Sequence, residues 1–354
     1  MYLFNDLKLK IRITENEIEC PIKGCSTSVK KQKKYFRKEK EFYCPNHKIY
    51  ISASTFEYES ENDNLLWNNK DDLKLLNEIK STKRECRLGR ERSEDALTWN
   101  VFRYLEKTNQ LQDLLSPIHK NPINNVELIY WSYSRKNKGI FSELKNARVE
   151  FGEKINQGSE PDLIVCSDEA IFFVEAKLLA LNNTKPSNPS EEKKYKTGGN
   201  KWFNEVFKTE YDNIVHEKSK YELMRFWLLG SWIAKTVNKS FYLISLMPKF
   251  RDIDIEESFG NHLNQTINRK FLRIDWEQIY TWVDLRFRTD EEKLLCDYLR
   301  NKSIGYDAHG NLQNRFLFNN TLSDSVIIGS DWTKEEKVEW SKSIESLYKP
   351  LHKS

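Results

Sequence analysis

The chain has 354 residues, with 57 Lys or Arg against 53 Asp or Glu and a formal net charge of +4. That length can bury a substantial core and divide into two or three domains. Aromatic residues make up 13% and charged residues 31%, which excludes a disordered chain. Met1-Tyr2-Leu3-Phe4-Asn5-Asp6 lacks the basic-then-apolar order of a signal peptide. The most apolar window, residues 223–234, is too short to span a bilayer and carries Arg225. A cytosolic protein with no membrane partner is expected, so its six cysteines should not form a disulfide framework.

The first element in chain order is a pair of Cys-Pro turns, Cys20-Pro21-Ile22-Lys23-Gly24-Cys25 and Cys44-Pro45-Asn46-His47. Each turn can direct two ligands at one ion. Three thiolates and an imidazole make a tetrahedral zinc set, and a closed set of four is structural rather than catalytic. A small zinc-binding β module over residues 1–60 is therefore expected. Between the turns, Lys30-Lys31-Gln32-Lys33-Lys34-Tyr35-Phe36-Arg37-Lys38-Glu39-Lys40 holds seven basic residues and one acid. Residues 1–50 carry 12 Lys or Arg and 6 Asp or Glu, a local charge of +6, whereas the remainder is about −2. Lys30, Lys31, Lys33, Lys34, Arg37 and Lys38 thus form a candidate phosphate-binding patch. Nothing in it reads bases, so contact would be sequence-tolerant. A solvated basic loop without a partner is the competing reading.

Residues 61–91 read as a linker or helical connection. Ser93, followed by Glu94-Asp95 and the run to Leu105, reads as an N-capped helix. Glu94, Leu97, Val101 and Leu105 share one of its faces. Residues 126–131 read as a strand, and Arg148-Val149-Glu150-Phe151 as the first strand of a hairpin sheet. Glu160-Pro161-Asp162-Leu163-Ile164-Val165 and residues 171–177 follow, two buried strands joined at Ser167-Asp168-Glu169. Glu175 and Lys177, two apart on a strand, project together, and an antiparallel hairpin can bring Asp162 beside them. Two carboxylates and an ammonium at one sheet edge suit a hard divalent cation and a phosphate.

Residues 182–200 are polar and punctuated by Pro and Gly, with Lys185, Lys193, Lys194 and Lys196, and read as a loop beside this site. Residues 211–235 read as a strongly apolar helix that should pack across the sheet, followed by a buried strand at 241–246. Beyond these, residues 271–274 read as a strand, and 276–283 and 291–300 as helices. A last helix is expected from Thr333, whose Thr-x-x-Glu with Glu336 is a capping box.

Pro161-Asp162, a spacer and Glu175-Ala176-Lys177 resemble the pattern of the PD-(D/E)xK nuclease superfamily, which includes many restriction endonucleases. Acid-x-Lys recurs elsewhere, for example at Asp72-Leu73-Lys74 and Glu143-Leu144-Lys145, but in polar segments. Glu175-Ala176-Lys177 instead ends an apolar strand just after a Pro-Asp. The resemblance covers about residues 92–247, under half the chain. It implies an α/β fold: a restriction-endonuclease-like core over residues 92–290, with a mixed central sheet flanked by helices. A helical C-terminal region would occupy residues 291–354.

The resemblance further implies catalytic Mg2+ (or Mn2+) held by Asp162, Glu175 and the Ala176 carbonyl. Lys177 would orient or deprotonate the attacking water, and Glu94 from the first core helix would be a third acid. Glu153 is the alternative third carboxylate, and Glu160 a possible outer acid. The function implied is a metal-dependent endodeoxyribonuclease of restriction or defence type, acting on nucleic acid with DNA as the default, as a homodimer or within a larger defence complex. The alternatives are a non-catalytic zinc-dependent nucleic-acid-binding protein on a nuclease-like scaffold, or a nuclease subunit of a larger complex.

Overall fold

The computed structural model describes residues 7–33, 35–83, 87–188, 191–285, 289–313 and Phe316. The chain begins with an antiparallel pair, β1 (Glu17–Glu19) and β2 (Ser28–Lys30). A three-stranded antiparallel sheet follows: β3 (Tyr43–Cys44), β4 (Ile49–Ile51) and β5 (Phe56–Tyr58). Ile18, Val29, Ile49, Ile51 and Phe56 bury one face of these short strands around Cys20, Cys25 and Cys44. Tyr306 completes the cluster from the far end of the chain. Its hydroxyl donates to the Lys8 carbonyl at 2.9 Å, and the Ile11 N–H donates to the Gly310 carbonyl at 2.9 Å. So small a module cannot close its own core, and the chain beyond residue 300 supplies the missing side.

Helix α1 (Lys70–Lys80) is capped by Asn69 and α2 (Glu94–Lys107) by Ser93, whose hydroxyl accepts from the Ala96 N–H at 3.0 Å. After α3 (Leu111–His119) come β6 (Glu127–Tyr130), β7 (Tyr133–Ser134) and β8 (Gly139–Ile140). Next is α4 (Ser142–Glu150). The strand expected at Arg148-Val149-Glu150-Phe151 is therefore incorrect: these residues end a helix. Leu144, Ala147 and Phe151 are buried at helical spacing whereas Val149 is 59% exposed, so the 3.6-residue period prevails over a four-residue alternation.

The expected hairpin is present as β9 (Leu163–Cys166) and β10 (Ala170–Ala176), paired antiparallel. Residues 182–200 are not wholly a loop: α5 (Glu192–Val206) starts within them and kinks at residues 198–201. Tyr195 before the break and Trp202 and Phe203 after it anchor the helical segments in the core, and the two glycines mark the kink between them. Helix α6 (Tyr221–Thr236) leads into β11 (Ser240–Met247), a crossover that makes β11 parallel to β10. Gly230 lets α6 approach the sheet, because a Cβ there would meet the Phe241 ring at 2.2 Å. A short turn of helix, α7 (Ile255–Ser258), precedes β12 (Arg269–Asp275), parallel to β11. Helices α8 (Trp276–Asp284) and α9 (Asp290–Asn301) follow. The helix expected from Thr333 lies outside the described residues.

The central sheet has seven strands in the order β12-β11-β10-β9-β6-β7-β8. It is mixed, and helices cover both faces, so its inner strands are apolar on both. Leu163, Val165, Phe172 and Val174 pack with α1, α2, α3, α8 and α9. Ile164, Ile171 and Phe173 pack with α4, α5 and α6. The fold is therefore α/β, a mixed sheet flanked by helices.

Candidate active site and metal centre

Strand register determines the first half of the site. One step beyond the Leu163–Val174 pair that ends the ladder, Asp162 lies beside Glu175, near enough for its charge to act on that carboxyl. On the other side, Ser245 of β11 is the partner of Glu175. Lys177 leaves the strand end with its main chain held on both sides. Its N–H donates to the Leu246 carbonyl at 2.8 Å, and its carbonyl accepts from Trp276 Nε1 at 2.9 Å.

The Lys177 ammonium donates to Glu175 Oε1 and lies 3.5 Å from Glu222 Oε2. Asp162 takes the Trp131 indole N–H on Oδ1 at 3.1 Å and the Ala176 N–H on Oδ2 at 2.9 Å. Glu175 is 2% exposed, and its Oε2 is buried with no hydrogen-bond partner among the described residues. An orphaned buried carboxylate oxygen is costly.

These environments set the charges. Burial, then the neighbouring Asp162 charge, holds the Glu175 carboxyl well above the usual range. Burial pushes Asp162 up to about 6, opposed by Lys177 and Lys83. Burial alone would lower Lys177, but Glu175, Asp162 and Glu222 keep it above the ordinary lysine range. The site thus carries two carboxylates short of positive charge and one firmly protonated lysine. A hard cation sharing Asp162 and Glu175 fits that deficit and the orphaned oxygen, since Mg2+ is commonly held by one or two carboxylates plus waters.

The other sequence candidates have different surroundings. Glu94 Oε1 accepts the N–H groups of Leu178, Leu179 and Ala180 at 2.7, 2.9 and 3.3 Å, so it holds the turn just after Lys177. Glu153 accepts from the Ser159 N–H and hydroxyl, each at 2.6 Å, and from the Tyr195 hydroxyl at 2.8 Å. Glu160 is half-buried two residues before Asp162.

The third carboxylate beside the lysine is Glu222, which sequence reading missed. Its signal was an acid in the first turn of an otherwise apolar helix. Lys83 and Trp131 also went unread, because nothing local to either one points to Asp162.

The second site lies in the N-terminal module. Ligand atoms of Cys20, Cys25, Cys44 and His47 all lie within 4.8 Å of one another, the one such group of His, Cys, Asp or Glu among the described residues. His47 Nδ1 is 3.5 Å from Cys20 Sγ and 3.6 Å from Cys44 Sγ, and Cys25 Sγ is 3.8 Å from Cys44 Sγ. Three of the four residues are buried. A Cys3His set of this compactness could hold a metal ion, and its softness and ligand count suit zinc.

The basic residues between the Cys-Pro turns are partly neutralised. Lys30 lies 2.9 Å from Glu41, Arg37 3.3 Å from Glu39 and Lys38 2.6 Å from Glu57. Lys31 donates to the Thr14 carbonyl at 3.2 Å, and Lys33 is exposed. Lys34 lies outside the described residues. Lys30, Lys31, Lys33 and Lys40 line an open cleft of about 640 Å³ with Glu41 and Tyr43.

Among the described residues, no helix is long and apolar enough to cross a membrane. Compared with known protein families, curated proteins and solved structures, the chain matches none.

Proposed function

We propose that this protein is a magnesium-dependent nuclease of the PD-(D/E)xK type that hydrolyses phosphodiester bonds of DNA in a restriction or defence role. The observation that carries the reading is the juxtaposition of Asp162 and Glu175 beside Lys177, with one Glu175 oxygen buried and unpartnered among the described residues. Asp162 and Glu175 would hold the cation, with the Ala176 carbonyl added as the resemblance implies. Magnesium, when bound, neutralises phosphate charge and acidifies a water.

Lys177 remains an ammonium between Glu175 and Glu222, so its role is to orient the attacking water and offset charge developing on the phosphate. Glu94 supports the turn that follows Lys177. The N-terminal module, with zinc in its Cys3His set, would present Lys30, Lys31 and Lys33 to the sugar-phosphate backbone.

The test is incubation of purified protein with circular plasmid, linear duplex DNA, single-stranded DNA and RNA, each with Mg2+ and with EDTA. Mg2+-dependent cleavage of a DNA substrate, lost in Asp162→Ala, is expected. Binding without cleavage of any substrate would leave a nucleic-acid-binding protein on a nuclease-like scaffold.

A further inference from the structure

The loop joining β6 to β7 is two residues long, Trp131 and Ser132, with φ of 44° and 73°. A two-residue hairpin loop of this kind requires positive φ at both positions, so Asn-Gly and similar pairs usually fill it. Here a tryptophan and a serine occupy it, and both are buried, at 1% and 2% exposure. Such strain persists only where the surroundings over-determine it, and it concentrates at functional sites.

Two sets of contacts hold this turn. Arg148 Nη2 donates to Ser132 Oγ at 2.9 Å, and the Phe141 N–H donates to the Ser132 carbonyl at 2.8 Å. On the other side, the Trp131 main-chain N–H donates to the Asp162 carbonyl at 3.0 Å and its indole Nε1 to Asp162 Oδ1 at 3.1 Å. The strained residue therefore grips Asp162 twice, once by its backbone and once by its side chain. Lys83 adds a charge: its ammonium lies 4.3 Å from the centre of the Trp131 ring and 3.1 Å from Asp95 Oδ1. A cation over an indole face is attracted by the ring quadrupole, and the polarised ring is a stronger N–H donor toward a carboxylate.

We propose that Trp131 is a positioning residue of the cation site. Its indole N–H and the Ala176 N–H together set the plane of the Asp162 carboxylate, one donor on each oxygen, leaving the remaining lone pairs for a cation shared with Glu175. Lys83, anchored by Asp95, strengthens the indole donor. The left-handed turn is what allows so large a side chain to reach Asp162 from the adjoining strand pair. This inference rests on the reading of Asp162 and Glu175 as cation ligands, and groups that orient ligands commonly change metal affinity by roughly 10- to 100-fold.

The test uses Mg2+ alone as the probe, on the full-length chain. With 15N in the indole nitrogens of its ten tryptophans, the wild-type protein should show a Trp131 indole N–H resonance that shifts saturably with Mg2+, distinct from that of Trp276 on the Lys177 carbonyl. That resonance should be missing from Trp131→Phe and displaced in Lys83→Met, which assigns it even if Trp131→Phe fails to fold. Calorimetric titration should give folded Trp131→Phe a Mg2+ dissociation constant roughly tenfold weaker than wild type.

Asp162→Ala separates this inference from the reading beneath it. If Asp162→Ala binds Mg2+ as the wild type does, or the wild type binds none, the cation site itself is misplaced. If Asp162→Ala loses binding while Trp131→Phe keeps wild-type affinity, the positioning role is overturned. It is equally overturned if the Trp131 indole resonance does not respond to Mg2+ that calorimetry shows to bind.

Discussion

Glu222, in the first turn of α6, lies 3.5 Å from the ammonium of Lys177. The lysine just beyond β10 is thus shared between a strand carboxylate and a helix carboxylate from opposite sides of a sheet-helix interface. Three buried or half-buried acids surround one ammonium, and a cation would relieve the imbalance.

The first expected outcome follows from that grouping. Asp162→Ala, Glu175→Ala and Lys177→Ala should each lower DNA cleavage, on the order of 10² to 10³-fold for Lys177→Ala, with circular dichroism unchanged. Glu222→Gln should cost less, because Glu175 still holds the ammonium. Glu94→Ala should be partial, and Glu94→Gln milder, since an amide oxygen can still accept from residues 178–180. Wild-type rates in Asp162→Ala or Lys177→Ala would show that the site lies elsewhere.

A pH dependence follows from the raised carboxyls. Asp162 rises from its ordinary 3.8 to about 6, and Glu175 moves in the same direction. The folded state therefore holds these protons more tightly than the unfolded chain. For Asp162 this contribution to stability is present below about pH 4 and is lost as pH rises through about 6. Mg2+ replaces the proton, so its stabilising effect should grow across that window. The Tm difference between Mg2+ and EDTA should be small at pH 5 and larger at pH 7.5. An equal difference at both values would contradict the assignment.

For the N-terminal module, elemental analysis should find one zinc per chain in protein purified without chelator. Zinc binding supplies folding energy to small modules, so Cys44→Ser should lose the metal and expose the module to proteases. Because Tyr306 and Leu312 pack into the same cluster, cleavage should also appear within residues 303–313 while the central sheet survives. Absence of zinc would remove the reading.

Neutralising Lys30, Lys31 and Lys33 together should weaken nucleic-acid binding and flatten its salt dependence, with little change in turnover at saturating substrate. Each lost phosphate contact lowers the slope of log affinity against log salt by roughly 0.7–0.9. Lys30 must leave Glu41 to reach a phosphate, so Lys33→Gln alone should account for more of the change than Lys30→Gln alone. Unchanged affinity with collapsed turnover would assign the module to folding or regulation instead.

Close helix-sheet approach at Gly230 gives a stability test. A Cβ there would meet the Phe241 ring at 2.2 Å, so Gly230→Ala should destabilise the protein by about 1–3 kcal/mol through overpacking. Urea denaturation measures it directly, and an unchanged midpoint would mean that α6 sits farther from β11.

Local pattern was sufficient for the strands of the central hairpin, for α2 with its Ser93 cap, and for the Cys-Pro turns whose ligands converge. In each, the deciding interaction lies within a few residues: alternation, a cap, or a turn that aims two ligands. The pattern misled at residues 148–151, where four alternating residues were the end of a helix, and at residues 192–197, where buried Tyr195 anchors a helical segment that ends at the glycines.

What only the tertiary structure decided is who meets whom across long separations. Glu222 and Trp131 reach the site from α6 and from the β6–β7 turn. Glu94 meets the backbone of residues 178–180, and Tyr306 closes the Cys/His module. From sequence alone, the chain's own residues could place Asp162 beside Glu175, because strand register is a local rule. The partners that fix their charges depend on helix packing and chain return, which arise from burial of the whole core and leave no short-range trace.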